Sequence, residues 1–211
     1  MYGDYTRKDQ IKDVFNAVAE GRVPELAYYL DDGCGEDLRD EDGRTLLVQA
    51  VVSKQAEAAR LLLSRGANPD LPSFDTGRVA LHFAAATGDV QMIEALLDYQ
   101  AMTDYTDEFD WTPLHMATAR GKLEAVKALV EAGANLEARD RQNDRPIELA
   151  ELRGSHSLET INKPFPPIIR YLKEAMSGYS ETVREELRQA GIEDDIRALK
   201  SHNPERYRLK P

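Results

Sequence analysis

An internal repeat of about 33 residues is the sequence feature that most constrains the fold. Residues 110–117 read DWTPLHMA, and related octamers stand at 43–50 (GRTLLVQA), 77–84 (GRVALHFA) and 143–150 (NDRPIELA). Two further sets of markers keep this period: Gly33, Gly66, Gln100 and Gly133, spaced 33, 34 and 33 residues apart, and Gly21, Lys54, Gly88, Gly121 and Gly154, spaced 33, 34, 33 and 33. Three markers in register predict a chain of similar structural units that stack on one another.

Within each unit the pattern predicts two short helices. In the best-defined unit Pro113 suits the first turn of a helix, and Leu114, Ala117 and Thr118 then share one face. Gly121 is expected to end this helix. The second helix carries its apolar residues at Leu123, Val126, Leu129 and Val130. Because such a helix pair is too short to bury its apolar face alone, the pairs must pack against each other.

The segment from Thr112 to Ala117, followed by Gly121, closely resembles the T-P-L-H-x-A…G signature of the ankyrin repeat. The triplet Gly133, Ala134 and Asn135 resembles the end of that repeat. The resemblance implies an all-α ankyrin-repeat solenoid of stacked helix-turn-helix units with hairpin loops. About five units cover roughly residues 8–175, and the first and last depart most from the signature, as end caps do.

The resulting organisation is an ankyrin-repeat array over residues 1–177, followed by a C-terminal helical cap and basic tail over residues 178–211. The fifth unit is interrupted near 155–166 by an insertion of about 10 residues, before a helix with Ile168, Ile169, Leu172 and Ala175. Such an insertion is either a tolerated feature of an end cap or a functional loop. In the C-terminal segment the residues expected to pack on the last repeat are Val183, Leu187, Ile192 and Ile196. Its basic end is either a frayed tail or a contact to the binding face.

No constellation of residues indicates catalysis, a metal site or a cofactor site. His82 and His115 fall at the histidine of the signature, where the resemblance implies hydrogen bonds between neighbouring repeats. His156 and His202 have no metal-ligand spacing to another histidine or to Cys34. The chain is therefore predicted not to be an enzyme and to bind no metal or cofactor.

Acidic residues occupy the loop position at which many ankyrin repeats carry an asparagine. These residues are Asp37, Asp70, Asp104 and Glu137. A carboxylate at this position can still accept hydrogen bonds from backbone N–H groups of the loop.

Charge and hydropathy narrow the classes of partner. The chain holds 38 acidic and 27 basic residues, a formal net charge of −11. Binding to nucleic acid or to a membrane is not expected, because both nucleic acid and anionic lipid require a basic surface. A protein partner with a basic patch is compatible with this charge.

No apolar run approaches the roughly 20 residues of a membrane helix, and no secretory signal opens the chain. Together with a single cysteine, these features predict a cytoplasmic protein, which is expected to be monomeric.

The resemblance also implies a binding surface on the hairpin tips and on the inner face of the first helices. By register its tips and charged positions are Glu41, Asp42 and Arg44 in the second unit, Asp75, Thr76 and Arg78 in the third, Tyr105, Glu108, Phe109, Trp111 and Arg120 in the fourth, and Arg141, Gln142, Asp144 and Arg153 in the fifth. The helix ends add Val52, Ser53, Ala86, Thr87, Ala119 and Leu152. Phe109 and Trp111 are candidate contact residues, although a tryptophan here can instead pack along its hairpin. The tips change from acidic in residues 31–45 and 98–110 to mildly basic in 139–145.

These features predict a non-enzymatic protein–protein interaction module, an adaptor or scaffold that binds its partner on the concave face and hairpin tips. The alternative is an inhibitor or immunity protein that neutralises a basic target. Two further classes are less expected: a structural element of an oligomer, and an enzyme whose site is built by the insertion and the tail.

Overall fold

The computed structural model describes residues 7–155 and 165–177. In this part of the chain the helices are α1 (Arg7–Ala19), α2 (Val23–Asp31), α3 (Leu46–Val52), α4 (Ala56–Ser64), α5 (Ala80–Thr87), α6 (Val90–Asp98), α7 (Pro113–Ala119), α8 (Leu123–Glu131), α9 (Pro146–Ser155) and α10 (Phe165–Met176). Successive pairs form the five predicted units. The β-type pairing recorded for these residues is an isolated antiparallel bridge between Arg39 and Thr45.

The five pairs stack into two rows of helices. The first helix of each pair packs against the first helices of its neighbours, which gives an inner row of α1, α3, α5, α7 and α9. The second helices pack in the same way into an outer row of α2, α4, α6, α8 and α10. One continuous apolar core runs from Val14 in α1 to Ala175 in α10. The predicted all-α solenoid of stacked helix pairs is confirmed.

Helix boundaries follow the local chemistry of the sequence. Pro113 begins α7, and Thr112 caps it by accepting a hydrogen bond at Oγ1 from the backbone N–H of His115, 3.4 Å away. The outer helix α8 buries Val126, Leu129 and Val130 on one side. Each unit therefore brings one apolar face to the stack, and the stack supplies the burial that a lone helix pair lacks.

The turn between inner and outer helices differs between the units. Gly121 has φ +69° and lets the chain turn directly into α8, and Lys54 takes the same left-handed conformation at φ +57°. At the equivalent position of the fifth unit, Gly154, the chain does not make this turn. The helix α9 continues through Gly154 to Ser155. The next helix among the described residues begins at Phe165, and the chain does not turn directly into it at Gly154.

The first unit differs from the others because its inner helix is longer. Helix α1 has 13 residues, whereas α3 has 7. Its additional turns occupy the positions that form the hairpin in the second unit. The ammonium group of Lys8 on these turns contacts the carboxylate of Glu41 at 2.7 Å. The longer helix therefore closes the N-terminal end of the inner row.

The fifth unit contains the predicted interruption. Its outer helix α10 buries Ile168, Leu172 and Ala175, as expected, whereas Ile169 is partly exposed, and it packs on α9 and α8. Several expectations fall outside the described residues. These are most of the 155–166 insertion, the 178–211 cap and tail with Val183, Leu187, Ile192 and Ile196, and the positions of His156 and His202.

Candidate protein-interaction surface

An aspartate organises three of the hairpins that connect successive units. In the fourth unit Oδ1 of Asp107 accepts hydrogen bonds from the backbone N–H groups of Phe109 (2.8 Å) and Trp111 (3.0 Å). Asp40 in the second unit and Asp140 in the fifth accept the equivalent pairs of bonds. Each carboxylate fixes the tip of its own hairpin, because one of its oxygens accepts hydrogen bonds from two backbone N–H groups of that tip.

The third hairpin is built differently. Ser73 stands where the other three hairpins have aspartate, and its hydroxyl donates to the carbonyl oxygen of Arg78 at 3.1 Å. Five positions separate Ser73 from Arg78, whereas four separate Asp107 from Trp111. This hairpin therefore contains one additional residue, which accounts for the single spacing of 34 in each set of markers.

Polar side chains join the later hairpins to each other. The guanidinium Nε of Arg78 donates to Oδ2 of Asp107 at 2.9 Å, and the side chain of Asp107 is fully buried. One unit further, the indole N–H of Trp111 donates to Oδ2 of Asp140 at 3.0 Å. Each aspartate thus holds its own hairpin with one oxygen and the preceding hairpin with the other. Two residues predicted for partner binding, Arg78 and Trp111, use their donors to join repeats.

The two signature histidines also join repeats, which confirms the role that the resemblance implied. Nε2 of His82 lies 2.8 Å from the carbonyl oxygen of Trp111, and Nδ1 accepts from the backbone N–H of Val79 at 3.3 Å. Since a carbonyl can only accept, the proton of this neutral ring is on Nε2. Nε2 of His115 reaches the carbonyl oxygen of Asp144 at 3.2 Å in the same way. Burial lowers the pKa of His82 to about 4 and also lowers the pKa of His115.

The fifth unit has Glu148 at the position of these histidines. Its carboxylate turns back and accepts from the backbone N–H of Arg145 at 2.7 Å and from the guanidinium group of Arg145. This residue therefore caps its own helix α9, and its carboxylate cannot donate a hydrogen bond to a backbone carbonyl as the two histidines do.

Three of the four loop carboxylates accept backbone N–H hydrogen bonds, as expected, and these bonds join neighbouring units. Glu137 instead contacts the guanidinium group of Arg145 at 3.0 Å. Oδ1 of Asp37 accepts from the backbone N–H of Asn68 at 2.8 Å, and Asp70 accepts from Met102 at 2.9 Å. Asp104 accepts from Asn135 at 2.8 Å. Asp70 and Asp104 thus accept a backbone hydrogen bond at the loop position where many ankyrin repeats have an asparagine.

The predicted surface residues divide into an exposed and a partly buried set. The exposed residues are Glu41, Asp42, Asp75, Glu108, Phe109, Arg120, Arg141, Gln142 and Arg153. The partly buried residues are Arg44, Thr76, Arg78, Tyr105, Trp111 and Asp144. Tyr105 packs edge-on against His82, with ring centroids 6.4 Å apart, and Trp111 stacks on His115 at 6.5 Å. The exposed set is available to a partner without disturbing the stack; its participation in binding stays a prediction.

Sequence reasoning missed Phe74, the most exposed large apolar residue of the hairpins. Its side chain is 69% exposed, against 47% for Phe109. The guanidinium of Arg39 lies 4.4 Å from the centroid of the Phe74 ring, and that of Arg141 lies 5.8 Å from the Phe109 ring. The spacing of 34 residues was the available signal, because it places one additional residue in this hairpin. A guanidinium group from a neighbouring hairpin therefore lies over each exposed ring.

The described residues contain neither a cluster of metal ligands nor a membrane-spanning helix. Within 7–155 and 165–177, no three histidine, cysteine, aspartate or glutamate side chains come together as metal ligands. No helix in the same ranges has the length and apolar character needed to cross a membrane.

Stacked helix pairs, hairpins joined edge to edge and a row of exposed tips define a repeat protein of the kind that binds other proteins. Residues 42–140 of the chain are ankyrin repeats. A model of three consecutive ankyrin repeats matches residues 70–140, and a model of one ankyrin repeat matches residues 42–73. Ankyrin repeats are in general a non-enzymatic interaction fold that binds other proteins.

Three relatives share part of the chain. Ankyrin repeat domain-containing protein oryK of Aspergillus oryzae is 41% identical over 63 residues, which are 29% of this chain and 10% of that protein. An ankyrin repeat protein of Rickettsia bellii is 34% identical over 90 residues, 40% of this chain and 26% of that protein. Human transient receptor potential cation channel subfamily A member 1 is 34% identical over 88 residues, 41% of this chain and 8% of that protein. The chain thus spans about a quarter or less of each of these relatives.

Proposed function

We propose that the chain acts as an adaptor or scaffold that holds a protein partner on its hairpin tips and on the adjoining ends of the inner helices. The observation that carries this proposal is the exposure of two phenylalanine rings on neighbouring tips. Phe74 is 69% exposed and Phe109 is 47% exposed. Large rings on a rigid framework suit a binding hot spot, because they bury much apolar area while losing little conformational entropy.

The same surface supports a more specific proposal, that the partner presents a basic patch. Glu41, Asp42, Asp75 and Glu108 are all exposed and lie on three consecutive hairpins. The formal net charge of the chain is −11. Such a surface attracts a basic partner over distances of several ångströms and accelerates association at low ionic strength. Inhibition of a basic target is a narrower form of this proposal.

Affinity capture with three versions of the chain tests the proposal. The test variant is Phe74→Ala combined with Phe109→Ala. The matched control is Tyr28→Ala combined with Tyr99→Ala. These tyrosines are also exposed (66% and 42%), but Tyr28 lies in the outer helix α2 and Tyr99 directly follows the outer helix α6. All three proteins should show the same unfolding transition before use.

A protein retained by the wild type and the tyrosine variant, and recovered roughly fivefold less by the phenylalanine variant, is the expected result. Equal recovery by all three would move the binding site away from these tips. Failure of the wild type to retain any protein specifically would overturn the adaptor proposal. For the basic patch, the affinity of the retained protein should fall between about 0.05 M and about 0.5 M salt, and an unchanged affinity would contradict it.

A further inference from the structure

Charge changes sign along two separate rows of the candidate surface. On the hairpin tips the exposed charged residues pass from Glu41, Asp42, Asp75 and Glu108 to Arg141. At the ends of the inner helices the equivalent positions of the five units are Glu20, Ser53, Thr87, Arg120 and Arg153. Both rows therefore begin acidic in the early units and end basic in the late units.

The four carboxylates are called the acidic edge: Glu41, Asp42, Asp75 and Glu108. The three guanidinium groups are called the basic corner: Arg120, Arg141 and Arg153. All seven side chains are exposed. Contacts inside the chain use only part of this charge: Glu41 pairs with Lys8 at 2.7 Å, Asp42 lies 3.4 Å from Arg44, and Arg141 lies 3.7 Å from Asp110.

Between the two rows the surface is mostly apolar. Val52 at the end of α3 is 45% exposed, and Leu152 in α9 is 44% exposed. Phe83 and Ala86 of α5 lie between them and are partly exposed. A peptide segment that lies along this apolar surface passes from the acidic edge to the basic corner.

We propose that the occupant of this surface is an extended segment of a partner protein whose own charge changes sign along its length. Its basic part lies over the acidic edge, its apolar part over Val52, Phe83 and Leu152, and its acidic part over the basic corner. This inference rests on the proposed function, because it names the chemistry of the segment that the surface holds. It differs from the simpler idea of a wholly basic partner, which the basic corner would repel.

The spacing of the units sets the length of this segment. Packed helices lie roughly 10 Å apart, so the centres of the two charged groups, almost two units apart, are separated by about 20 Å. An extended chain covers about 3.3 Å per residue. About six residues should therefore separate the basic and acidic parts of the bound segment.

Three synthetic peptides test the proposal by fluorescence anisotropy at low salt. The block peptide has three lysines, a spacer of about six alanine, leucine and serine residues, and three glutamates. The mixed peptide has the same composition, but lysine and glutamate alternate at both ends. In the basic peptide all glutamates of the block peptide are lysines. Each is titrated with the wild type, with Arg120→Glu/Arg153→Glu, and with Arg60→Glu/Arg170→Glu, a control with the same change of net charge on exposed positions of the outer helices.

For the wild type we expect the block peptide to bind roughly fivefold more tightly than the mixed and basic peptides. In Arg120→Glu/Arg153→Glu this preference should reverse in favour of the basic peptide, whereas Arg60→Glu/Arg170→Glu should keep the wild-type order. If the wild type binds the basic peptide at least as tightly as the block peptide, or binds neither, the inference is wrong. The proposed function is tested separately by affinity capture of a partner that depends on Phe74 and Phe109. A failure of the peptide experiment alone therefore contradicts the inference and not the proposed function.

Discussion

The junction between the second and third units and the junction between the fourth and fifth units use the same packing of helices but different polar contacts. At the later junction His115 reaches the carbonyl of Asp144, and Trp111 donates to the buried carboxylate of Asp140. At the earlier junction Val48 replaces the histidine and Ser73 replaces the aspartate.

Arg39 supplies the hairpin contacts of the earlier junction instead. Its Nη1 donates to the carbonyl oxygens of Gly43 at 2.6 Å and Pro72 at 2.5 Å, and its guanidinium covers Phe74. These contacts are only partly buried, whereas the acceptors Asp107 and Asp140 of the later hairpins are buried. Since the stability of an array is close to the sum of its units and of the interfaces between neighbours, the earlier junction should be the weaker one.

The difference between the two junctions shows that a side chain which joins repeats is no longer available to bind a partner. Where Trp111 and Arg78 are used to join repeats, they are partly buried and their donors are occupied. Where an arginine holds the junction from outside, a large ring such as Phe74 stays exposed at the tip. A partner can therefore contact the exposed tips of the second and third hairpins more easily than the part of the fourth hairpin that is bonded to Asp140.

The largest expected loss of stability distinguishes a buried hairpin aspartate, Asp107, from a partly exposed one, Asp40. Asp107→Ala removes the acceptor of two backbone N–H groups and leaves the guanidinium of Arg78 without its buried partner. We expect a loss of roughly 3 kcal/mol in the free energy of unfolding, measured with urea. Asp40→Ala removes a similar pair of backbone bonds from a partly exposed carboxylate, and about 1 kcal/mol should be lost. Equal losses would remove the distinction between the hairpins.

The pH dependence of stability should come from the junctions that contain histidine. The pKa of His82 is lowered by burial to about 4 in the folded chain, from 6.5. The unfolded chain therefore takes up the proton first, and stability is lost as the pH falls from the unfolded pKa towards the folded pKa. The loss should reach roughly 3 kcal/mol near pH 4 for this residue, with a further loss of the same sign from His115. Unfolding experiments at several pH values, with His82→Gln for comparison, check this; the variant should show a shallower dependence, and an equally steep one would exclude His82 as its source.

A smaller effect is expected from an unsatisfied group in the later half. Among the described residues the buried hydroxyl of Thr118 has no hydrogen-bond partner, whereas the hydroxyl of Thr112 contacts His115. Thr118→Val keeps the shape and should raise the free energy of unfolding by about 1 kcal/mol. Thr112→Val is the control and should lower it by about 1 kcal/mol. Destabilisation by both changes would show that Thr118 finds a partner.

The smallest effect belongs to Arg39. Removing a partly exposed guanidinium that bonds to two carbonyl groups should reduce the free energy of unfolding by no more than about 1 kcal/mol. Arg78→Ala leaves the buried carboxylate of Asp107 uncompensated and should cost clearly more. Thermal unfolding of the two variants side by side makes the comparison. A larger loss for Arg39→Ala would mean that the earlier junction is the stronger one.

The fold could be predicted from the sequence because every unit repeats the same spacing of apolar residues. His82 and His115 could be placed between repeats because they fall at the signature position. The role of Trp111 could not be decided, since its packing depends on Asp140 in the next unit and not on its own hairpin. Phe74 was missed because an insertion of one residue shifts it out of the register of the other tips.

The most direct test of the account measures stability and partner affinity together for Phe74→Ala and Trp111→Phe. The affinity is that for the protein retained by the wild type. We predict that Phe74→Ala weakens binding roughly fivefold at unchanged stability. Trp111→Phe should lower the free energy of unfolding by about 1–2 kcal/mol, because Asp140 loses a donor, and should leave the affinity nearly unchanged. If Trp111→Phe weakened binding and Phe74→Ala did not, the division between residues that join repeats and residues that bind the partner would be contradicted.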